Sequence, residues 1–408
     1  MNLAVAIGGL AFLILIHEAG HFFVALAVRM RPRRFYVFFP PALVKWKRNG
    51  IEYGIGAIPL GGYVKIPGMH KPAAGDLDLH LEPARKEAPA VAAAADPVEQ
   101  ALAADRLADA RAALPALRAA IEAEELSEPA RKAAERGLAE VDDALSPEAY
   151  WRAPARKRIA VIAAGPLTNL VFAIAALAVV FMLGVPTAAT RAVEEVSPGS
   201  PAAAMGLEPG DRILAVNGDR GEPADLAAAI RESDGRPVTL TVERSGDEIA
   251  LEGAPRRDPT DDVYRLGFAF GLKYESYGPL ESIGLAFETT WEVTKAIGAS
   301  LGRIVTGSGR DEVASVVGIT AVSSESLEEG FRYYLQVLAF ISLSLALLNL
   351  LPLLPLDGGH IAFSLVERIR GRAIPRAAYE RFSAIGIAAV LLLFFLGLSN
   401  DIDRLRGG

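Results

Sequence analysis

The stretch LAVAIGGLAFLILIHEAGHFFVALAV, residues Leu3–Val28, decides the fold of this chain. It is long enough to cross the hydrocarbon core of a bilayer, since a helix needs about 20 residues to span roughly 30 Å. Its interior nevertheless carries His17, Glu18 and His21, and ionisable groups at that depth are costly and seldom lack a role. No Lys or Arg precedes Arg29, so we expect a membrane helix and not a signal peptide.

Three further stretches have the length and composition of membrane helices. They contain no charged residue and run over Ile159–Gly184, Tyr333–Leu356 and Phe382–Asn400. The overall composition agrees, because 51% of the 408 residues are hydrophobic and only 22% are charged. There is no Cys, which excludes disulfides and thiolate ligands, and the net charge of −7 argues against a nucleic-acid partner. The sequence predicts an α-helical polytopic membrane protein with four transmembrane helices.

The basic residues predict an orientation for these helices. Lys and Arg cluster at 29–48 after the first helix, at 152–158 before the second, and at 368–381 between the third and fourth. With four crossings all three clusters lie on one side, which the positive-inside rule assigns to the cytoplasm. Both termini and residues 187–332 are then extracytoplasmic.

The segments between the helices differ in composition. In residues 51–66, Gly and Pro interrupt β-branched and aromatic residues, which predicts a membrane-associated β-hairpin with its turn at Pro59–Gly62. Residues 71–150 are rich in Ala and Glu and carry 17 acidic and 9 basic residues. They are predicted to form one or two solvated helices with a loose linker near 84–97, and a disordered acidic insert is the alternative.

The extracytoplasmic part reads as a small domain followed by a surface helix. Short β-type runs at Val238–Val242 and Ile249–Leu251, with a short helix at Asp225–Arg231, predict an inserted α+β domain. Residues 280–305 predict an amphipathic helix that lies at the membrane interface. The expected division is 1–70 (first membrane helix and β-loop), 71–150 (cytoplasmic insert), 151–186 (second membrane helix), 187–275 (extracytoplasmic domain), 276–332 (interfacial helix and connector) and 333–408 (third and fourth membrane helices).

The motif His17-Glu18-Ala19-Gly20-His21 indicates metal chemistry. At 3.6 residues per turn the two imidazoles lie one turn apart on one helix face, where they can bind one metal ion while Glu18 activates water. A third ligand must come from elsewhere. Asp357 is favoured, because it follows the third apolar stretch on the same predicted side of the membrane, and its two following glycines permit close backbone approach. His360 is the alternative.

Together these motifs resemble the site-2 protease family of intramembrane metalloproteases, and most closely its bacterial regulator-of-sigma-E-type group. HEAGH pairs with NLLPLLPLDGG at Asn349–Gly359, and AGPLTN at Ala164–Asn169 is similar to the family's GPxxN motif. YGIGAIPLGGYVKIPG at Tyr53–Gly68 resembles its membrane-associated β-loop, and Ser197–Gly218 resembles part of a PDZ domain. The motifs cover residues 1–70 and 151–408.

The resemblance implies a zinc endopeptidase with one Zn²⁺ ion that cuts transmembrane segments. The residues it implies are His17, His21 and Asp357 for the metal; Glu18 for catalysis; Asn349, Gly61, Gly62 and Tyr63 for substrate binding; and Gly165, Pro166 and Asn169 as supporting residues. For Asn349 a helix-capping or helix-packing role stays open, and for Asn169 a structural hydrogen bond is an equal alternative. Residues 54–66 are the candidate edge strand for an unwound substrate.

The resemblance also implies partners and a location. The expected partners are the lipid bilayer and a transmembrane substrate, such as an anti-sigma factor already cut by another protease, or a remnant signal peptide. The expected location is the bacterial inner (cytoplasmic) membrane, with the site toward the cytoplasm. The chain departs from the best-known members in having one PDZ-like unit and a long acidic insert. The PDZ-like unit is either a peptide receptor or a steric gate.

Two other classes of function compete with proteolysis. A metal transporter or metal sensor would use intramembrane His and Asp residues as ligands, but it has no need of Glu18. A silent scaffold would bind partners through 188–275 alone, but every residue type that catalysis needs is present.

Overall fold

The computed structural model describes residues 2–258, 262–309 and 315–407. Its helices are α1 (Asn2–Ala27), α2 (Asp78–Glu87), α3 (Pro89–Ala103), α4 (Leu107–Ala123), α5 (Glu128–Leu145), α6 (Ala155–Leu183), α7 (Pro201–Ala204), α8 (Pro223–Glu232), α9 (Pro279–Thr306), α10 (Val316–Glu328), α11 (Phe331–Asn349), α12 (Asp357–Arg370) and α13 (Arg376–Gly407). Its strands are β1 (Arg34–Arg48), β2 (Ile51–Lys65), β3 (Val185–Val196), β4 (Arg212–Val216), β5 (Val238–Arg244), β6 (Asp247–Gly253), β7 (Arg256–Arg257), β8 (Tyr264–Arg265) and β9 (Phe268–Glu275).

Four helices in the described part of the chain are long and apolar enough to cross a membrane. They are α1, α6, α11 and the Ala377–Ile402 part of α13. The predicted helical membrane architecture is thereby confirmed at this level. The third helix is shorter than predicted, since α11 ends at Asn349 and not at Leu356. Pro352 and Pro355 follow, and a proline removes a backbone N–H and disfavours helical geometry in the residue before it.

A long antiparallel hairpin, β1 and β2, follows α1. Its tight turn lies at Asn49–Gly50, where φ is +51° and +78°, and the sequence analysis did not predict it. The expected turn at Pro59–Gly62 overlaps a second reversal of the chain inside β2, because residues 52–55 and 62–65 pair with opposite sides of 34–37 and run in opposite directions. A two-residue hairpin turn of type I′ has positive φ at both central residues, which Asn-Gly adopts readily. The basic segment after the first helix, which the sequence marked only by its charge, is therefore strand β1.

The two strands bend, so the hairpin contains four paired segments. Phe35 pairs with Tyr53 on one side and with Val64 on the other. The segments thus lie in the order 42–48, 51–56, 34–37 and 62–65. In the described part of the chain no strand pairs with the outer side of 62–65, so this short segment is an edge of the sheet.

The acidic insert folds into four helices, α2 to α5, with a core of its own. The prediction of one or two helices and a loose linker near 84–97 is wrong, because α3 covers most of that linker. Alanine and other small residues fill much of this core: Ala84, Ala88, Val91, Ala95, Val98, Ala101, Ala110, Ala130 and Ala134 are all buried. Small side chains let neighbouring helices pack closely. The low hydrophobicity of the segment therefore gave no indication of this core.

Residues Ala178–Ser282 form a second compact unit. Its five-stranded sheet has the order β6-β5-β4-β3-β9, and α8 packs beside it over a core that includes Ile213, Leu226 and Leu240. The short helix predicted at Asp225–Arg231 lies within α8. Strand β9 pairs with β3 and forms one edge of the sheet as described.

Helix α9 has the amphipathic character that its sequence predicts. Leu280, Phe287 and Trp291 are exposed along one side of it, while Ser282 and Ala286 are buried. Apolar side chains exposed in this way suit a helix that lies at a membrane surface.

Candidate metal and catalytic site

Three side chains that could hold a metal ion meet between α1 and the start of α12. The Nε2 atoms of His17 and His21 are 3.3 Å apart, and both face Asp357 Oδ2, at 3.2 Å and 3.3 Å respectively. Both histidines are buried. In the described residues, these three form the one group of His, Asp and Glu side chains close enough together to bind a metal.

The spacing of these atoms fits zinc. Ligand atoms about 2.0–2.1 Å from a tetrahedral Zn²⁺ are separated from one another by about 3.3–3.4 Å. The three measured separations of 3.2–3.3 Å therefore match one triangular face of such a tetrahedron. Two imidazoles with one carboxylate are also a donor set that catalytic zinc uses, with a fourth position for water or substrate.

A contact behind the imidazole of His21 orients it toward this point. His21 Nδ1 lies 2.8 Å from the carbonyl oxygen of Val161 on α6. A proton on Nδ1 can be donated to that carbonyl, which leaves the Nε2 lone pair free for a metal. His17 Nδ1 is buried and has no hydrogen-bond partner among the described residues.

Glu18 is buried on the side of α1 that faces the sheet. A Cβ atom added at Gly62 would lie 2.8 Å from Glu18 Cγ and 3.2 Å from Ile14 Cγ2. The edge segment 62–65 thus passes directly against Glu18, and glycine at position 62 permits this approach. Glu18 is next in sequence to the candidate ligand His17, and its side chain lies against a strand edge.

Helix α6 crosses α1 at His17 and His21 through glycines on both helices. A Cβ added at Gly165 would lie 2.3 Å from His21 Nε2 and 2.8 Å from His17 Nε2. One added at Gly20 would lie 2.5 Å from both the carbonyl oxygen of Ala164 and Thr168 Oγ1. Position 165 therefore has room for a hydrogen atom but not for a methyl group.

The other two residues of the AGPLTN motif that were predicted to support the site, Pro166 and Asn169, are also buried. Pro166 follows Gly165 inside α6. Asn169, one turn further, is fully buried, and among the described residues its side-chain nitrogen and oxygen have no hydrogen-bond partner. Its backbone oxygen accepts a hydrogen bond of 2.9 Å from Ser342 Oγ on α11. This bond joins α6 to α11, but it uses the backbone of Asn169 and not its amide.

Asp357 is the first residue of α12, and packing at both ends of that helix holds it. Cβ atoms at Gly358 and Gly359 would lie 2.2 Å from the Leu350 carbonyl oxygen and 2.5 Å from Leu354 N. These glycines thus permit a close approach of α12 to the 350–354 backbone, in addition to the approach to the metal that the sequence analysis expects of them.

The far end of α12 is held by a buried ion pair that the sequence analysis missed. Arg158 of α6 bonds to Glu367, whose other oxygen accepts from the backbone N–H of Ile374 at 2.8 Å. The ring of Tyr150 lies under the Arg158 guanidinium, and burial raises the pKa of Tyr150 to about 12. The sequence analysis used Arg158 only as part of a basic cluster that predicts orientation. A charge at the edge of an apolar stretch can be buried, and a buried charge requires a partner.

The remaining predicted site residues are less closely gathered. Asn349 is the last residue of α11, and its Nδ2 donates to the carbonyl oxygen of Leu345 at 3.0 Å, as the helix-capping alternative allows. His360 lies on α12 with its ring 6.3 Å from that of Tyr379, and it is not part of the three-residue metal group.

Gly61 and Tyr63 flank Gly62 on β2. The ring of Tyr63 stacks on Tyr36, with centroids 5.3 Å apart. Gly61 has a φ of +151°, and a Cβ there would lie 2.8 Å from the Phe39 ring. Both residues thus pack against β1, while Gly62 makes the contact with Glu18.

Comparison with known proteins identifies the family of the chain. The profile of Peptidase family M50 matches residues 5–393. A Brucella suis protein named as a zinc metalloprotease is 30% identical over 96% of this chain and 93% of its own length. A similarly named protein of Agrobacterium fabrum is 29% identical over 98% of this chain and 94% of its own length.

A further relative carries a more specific name. The regulator of sigma-E protease RseP of Salmonella typhimurium is 30% identical over 99% of both chains. These similarities run through residues 71–150, so they extend beyond the two segments whose motifs carry the resemblance.

Proposed function

The chain belongs to peptidase family M50 and is a zinc metalloprotease, and from this premise we propose that His17, His21 and Asp357 hold one zinc ion beside the general base Glu18. The observation that carries this proposal is the triangle of ligand atoms, whose sides of 3.2–3.3 Å fit zinc and whose members come from α1 and α12. The family and the four apolar helices support intramembrane proteolysis as the activity.

Each side chain has a defined part in the proposed hydrolysis. Zinc bound at this site supplies Lewis-acid activation of water and of the scissile carbonyl. Glu18 takes the proton of the attacking water on its carboxylate and later passes it to the leaving amine. The Val161 carbonyl keeps His21 in the tautomer that presents Nε2, and Gly165 keeps α6 clear of both ligand atoms.

The edge segment 62–65 is the proposed binding strand for the substrate. A transmembrane helix hides its peptide groups in its own hydrogen bonds, so the scissile region must unwind before it can be cut. An unwound segment can pair with a free strand edge, and this edge lies against Glu18 through Gly62. Gly61 and Tyr63 belong to the same binding strand, and Asn349 is proposed to hold the substrate backbone.

Orientation and substrate are proposals that follow from the charge distribution and the relatives. We place the three basic clusters in the cytoplasm and residues 187–332 outside a bacterial inner membrane. The name of the Salmonella typhimurium relative refers to regulation of sigma E. An anti-sigma factor that another protease has trimmed is therefore the first substrate to test here, and remnant signal peptides are the second.

The unit Ala178–Ser282 is proposed to be a PDZ-like domain. A groove of about 780 Å³ lies between α8 and the start of β9, and its lining includes Ile230, Leu266 and Phe268. This groove suits a peptide receptor, since β9 offers a sheet edge for β-addition. A steric gate needs only the bulk of the unit, and both roles are tested by deletion below.

Reconstitution tests the proposed function. The purified chain in proteoliposomes should cut a transmembrane substrate at a bond inside its apolar segment, as mass spectrometry of the fragments can show. Removal of metal with a chelator should stop cleavage, and added Zn²⁺ should restore it. Cleavage outside the apolar segment, or cleavage unaffected by His17→Ala, would contradict the proposal.

A further inference from the structure

A carboxylate of the acidic insert contacts the residue that precedes the membrane-associated hairpin and the residue that ends it. Asp143, in the last turn of α5, accepts a hydrogen bond from Arg33 Nε at 2.7 Å, and Lys65 Nζ lies 3.7 Å from its other oxygen. Arg33 immediately precedes β1 and Lys65 ends β2. The backbone N–H of Arg33 donates to the Lys65 carbonyl oxygen at 2.7 Å, so a single carboxylate connects two neighbouring chain ends to the insert.

The backbone at the base of the insert fixes α5 in this position. The N–H groups of Tyr150 and Trp151 donate to the carbonyl oxygens of Pro67 and Gly68, at 2.9 Å and 3.1 Å. The indole of Trp151 donates to the Ala144 carbonyl oxygen at 2.8 Å. The entering and leaving chains are thereby joined next to Asp143, and the insert is not merely tethered by flexible linkers.

Lys65 lies at the end of the edge segment that passes Glu18. Gly62, in contact with Glu18, is three residues away, which is about 10 Å along a strand. Side chains alternate along a strand, so Val64 faces the same side as Gly62. Val64 packs against a cluster that contains Ala25 of α1 and Tyr150. A shift at Lys65 would thus be transmitted to the strand that faces the base.

We propose that Asp143 is a positioning residue through which the 71–150 insert holds the edge segment 62–65 in register against Glu18. Asp143 touches neither the metal ligands nor the base and acts through Arg33 and Lys65. The proposal gives the insert a role in presenting the substrate to the site. It depends on the proposed function only because it names the substrate as the segment that pairs with the edge 62–65.

A matched pair of variants tests this proposal by kinetics. Asp143→Ala removes the carboxylate contacts with Arg33 and Lys65 but leaves the backbone hydrogen bonds at the base of the insert in place. Asp142→Ala removes an exposed pair with Arg118 that lies within the insert. For a transmembrane substrate, Asp143→Ala should raise KM about tenfold, the size expected when a partly buried charged hydrogen bond is lost. Zinc content and the kcat for a short unfolded peptide should not change. Asp143→Glu, which keeps the carboxylate, should recover most of the loss.

A second measurement needs no catalysis. The chain has no Cys, so Val64→Cys provides a single thiol on the edge segment. Maleimide should label it about fivefold faster with Asp143→Ala than with Asp142→Ala, because the released edge moves away from α1. Equal KM and equal labelling in the two variants would overturn the proposal. Absence of Glu18-dependent cleavage in the unaltered chain would instead reject the proposed function, and the labelling comparison would still decide the role of Asp143.

Discussion

Gly165→Ala adds one methyl group where α6 crosses the face of α1 that carries the proposed ligands His17 and His21. In the structure the new Cβ would lie 2.3 Å from His21 Nε2, 2.6 Å from His21 Cε1 and 2.8 Å from His17 Nε2. Ordinary contacts of such an atom begin near 3.4 Å. Either α6 or the imidazole of His21 must therefore retreat by about 1 Å, the difference between the two distances.

A displacement of that size is too large for the metal. Zinc–ligand distances in a working site stay within about 0.2 Å of their normal values. Retreat of α6 would also lengthen the 2.8 Å contact that orients His21 through the Val161 carbonyl. Loss of such a supporting contact alone weakens metal binding by about 10- to 100-fold, so we expect Gly165→Ala to weaken zinc binding at least about 100-fold.

Competition with a chromophoric chelator measures the affinity of each variant for zinc. The zinc content of each variant after gel filtration gives a second measurement. Gly8→Ala in α1 is the control, because its added Cβ meets no atom within 4 Å. Both variants replace a helical glycine, so their difference isolates the steric effect. If Gly165→Ala binds zinc as tightly as Gly8→Ala does, the α6 contact does not shape the metal site and this reasoning is refuted.

Three further outcomes are expected. Asp357→Ala should abolish stoichiometric zinc binding while His360→Ala should not, as metal analysis will show, and the reverse result would make His360 the ligand. Asp211→Asn should speed hydrogen exchange in 190–272 at neutral pH, because Arg244 bonds both Asp211 oxygens and lowers the pKa of Asp211 below its usual 3.8. The stabilisation that ionised Asp211 provides is complete above pH 3.8 and is lost as the pH falls through the pKa of Asp211 in the folded state. The exchange rates of the unaltered chain and of Asp211→Asn should therefore become equal in acid, and a difference that does not change with pH would contradict this prediction. Deletion of 190–272 should let untrimmed substrates be cut if the unit is a gate, whereas loss of cleavage of trimmed substrates would make it a receptor.

The parts of the fold that depend on local sequence patterns could be predicted from the sequence. Uninterrupted apolar stretches predict membrane helices because the bilayer sets their length. HExxH predicts two ligands because helix geometry alone brings His17 and His21 together. Asp357 could be favoured over His360 only by its position relative to the third helix, and the structure brings it to the two histidines.

Other features depend on packing that a single sequence does not display. The number of helices in the insert was underestimated because many of its core residues are alanines, which carry little hydrophobic signal. The tight turn at Asn49–Gly50 was missed because the preceding basic segment was interpreted only by its charge and not as a strand. The contacts that Gly61 and Gly62 allow with Phe39 and Glu18 depend on the folded sheet. The pair Arg158–Glu367 joins residues 209 positions apart, so no local sequence pattern predicts it.

The central claim is that Glu18 performs the chemistry at a zinc ion which other residues hold. Glu18→Gln tests it most directly, since the amide has nearly the same shape but cannot accept the proton. The purified variant in proteoliposomes should retain one zinc ion per chain and show no cleavage of a transmembrane substrate that the unaltered chain cuts. Full zinc content together with undiminished cleavage would contradict the account.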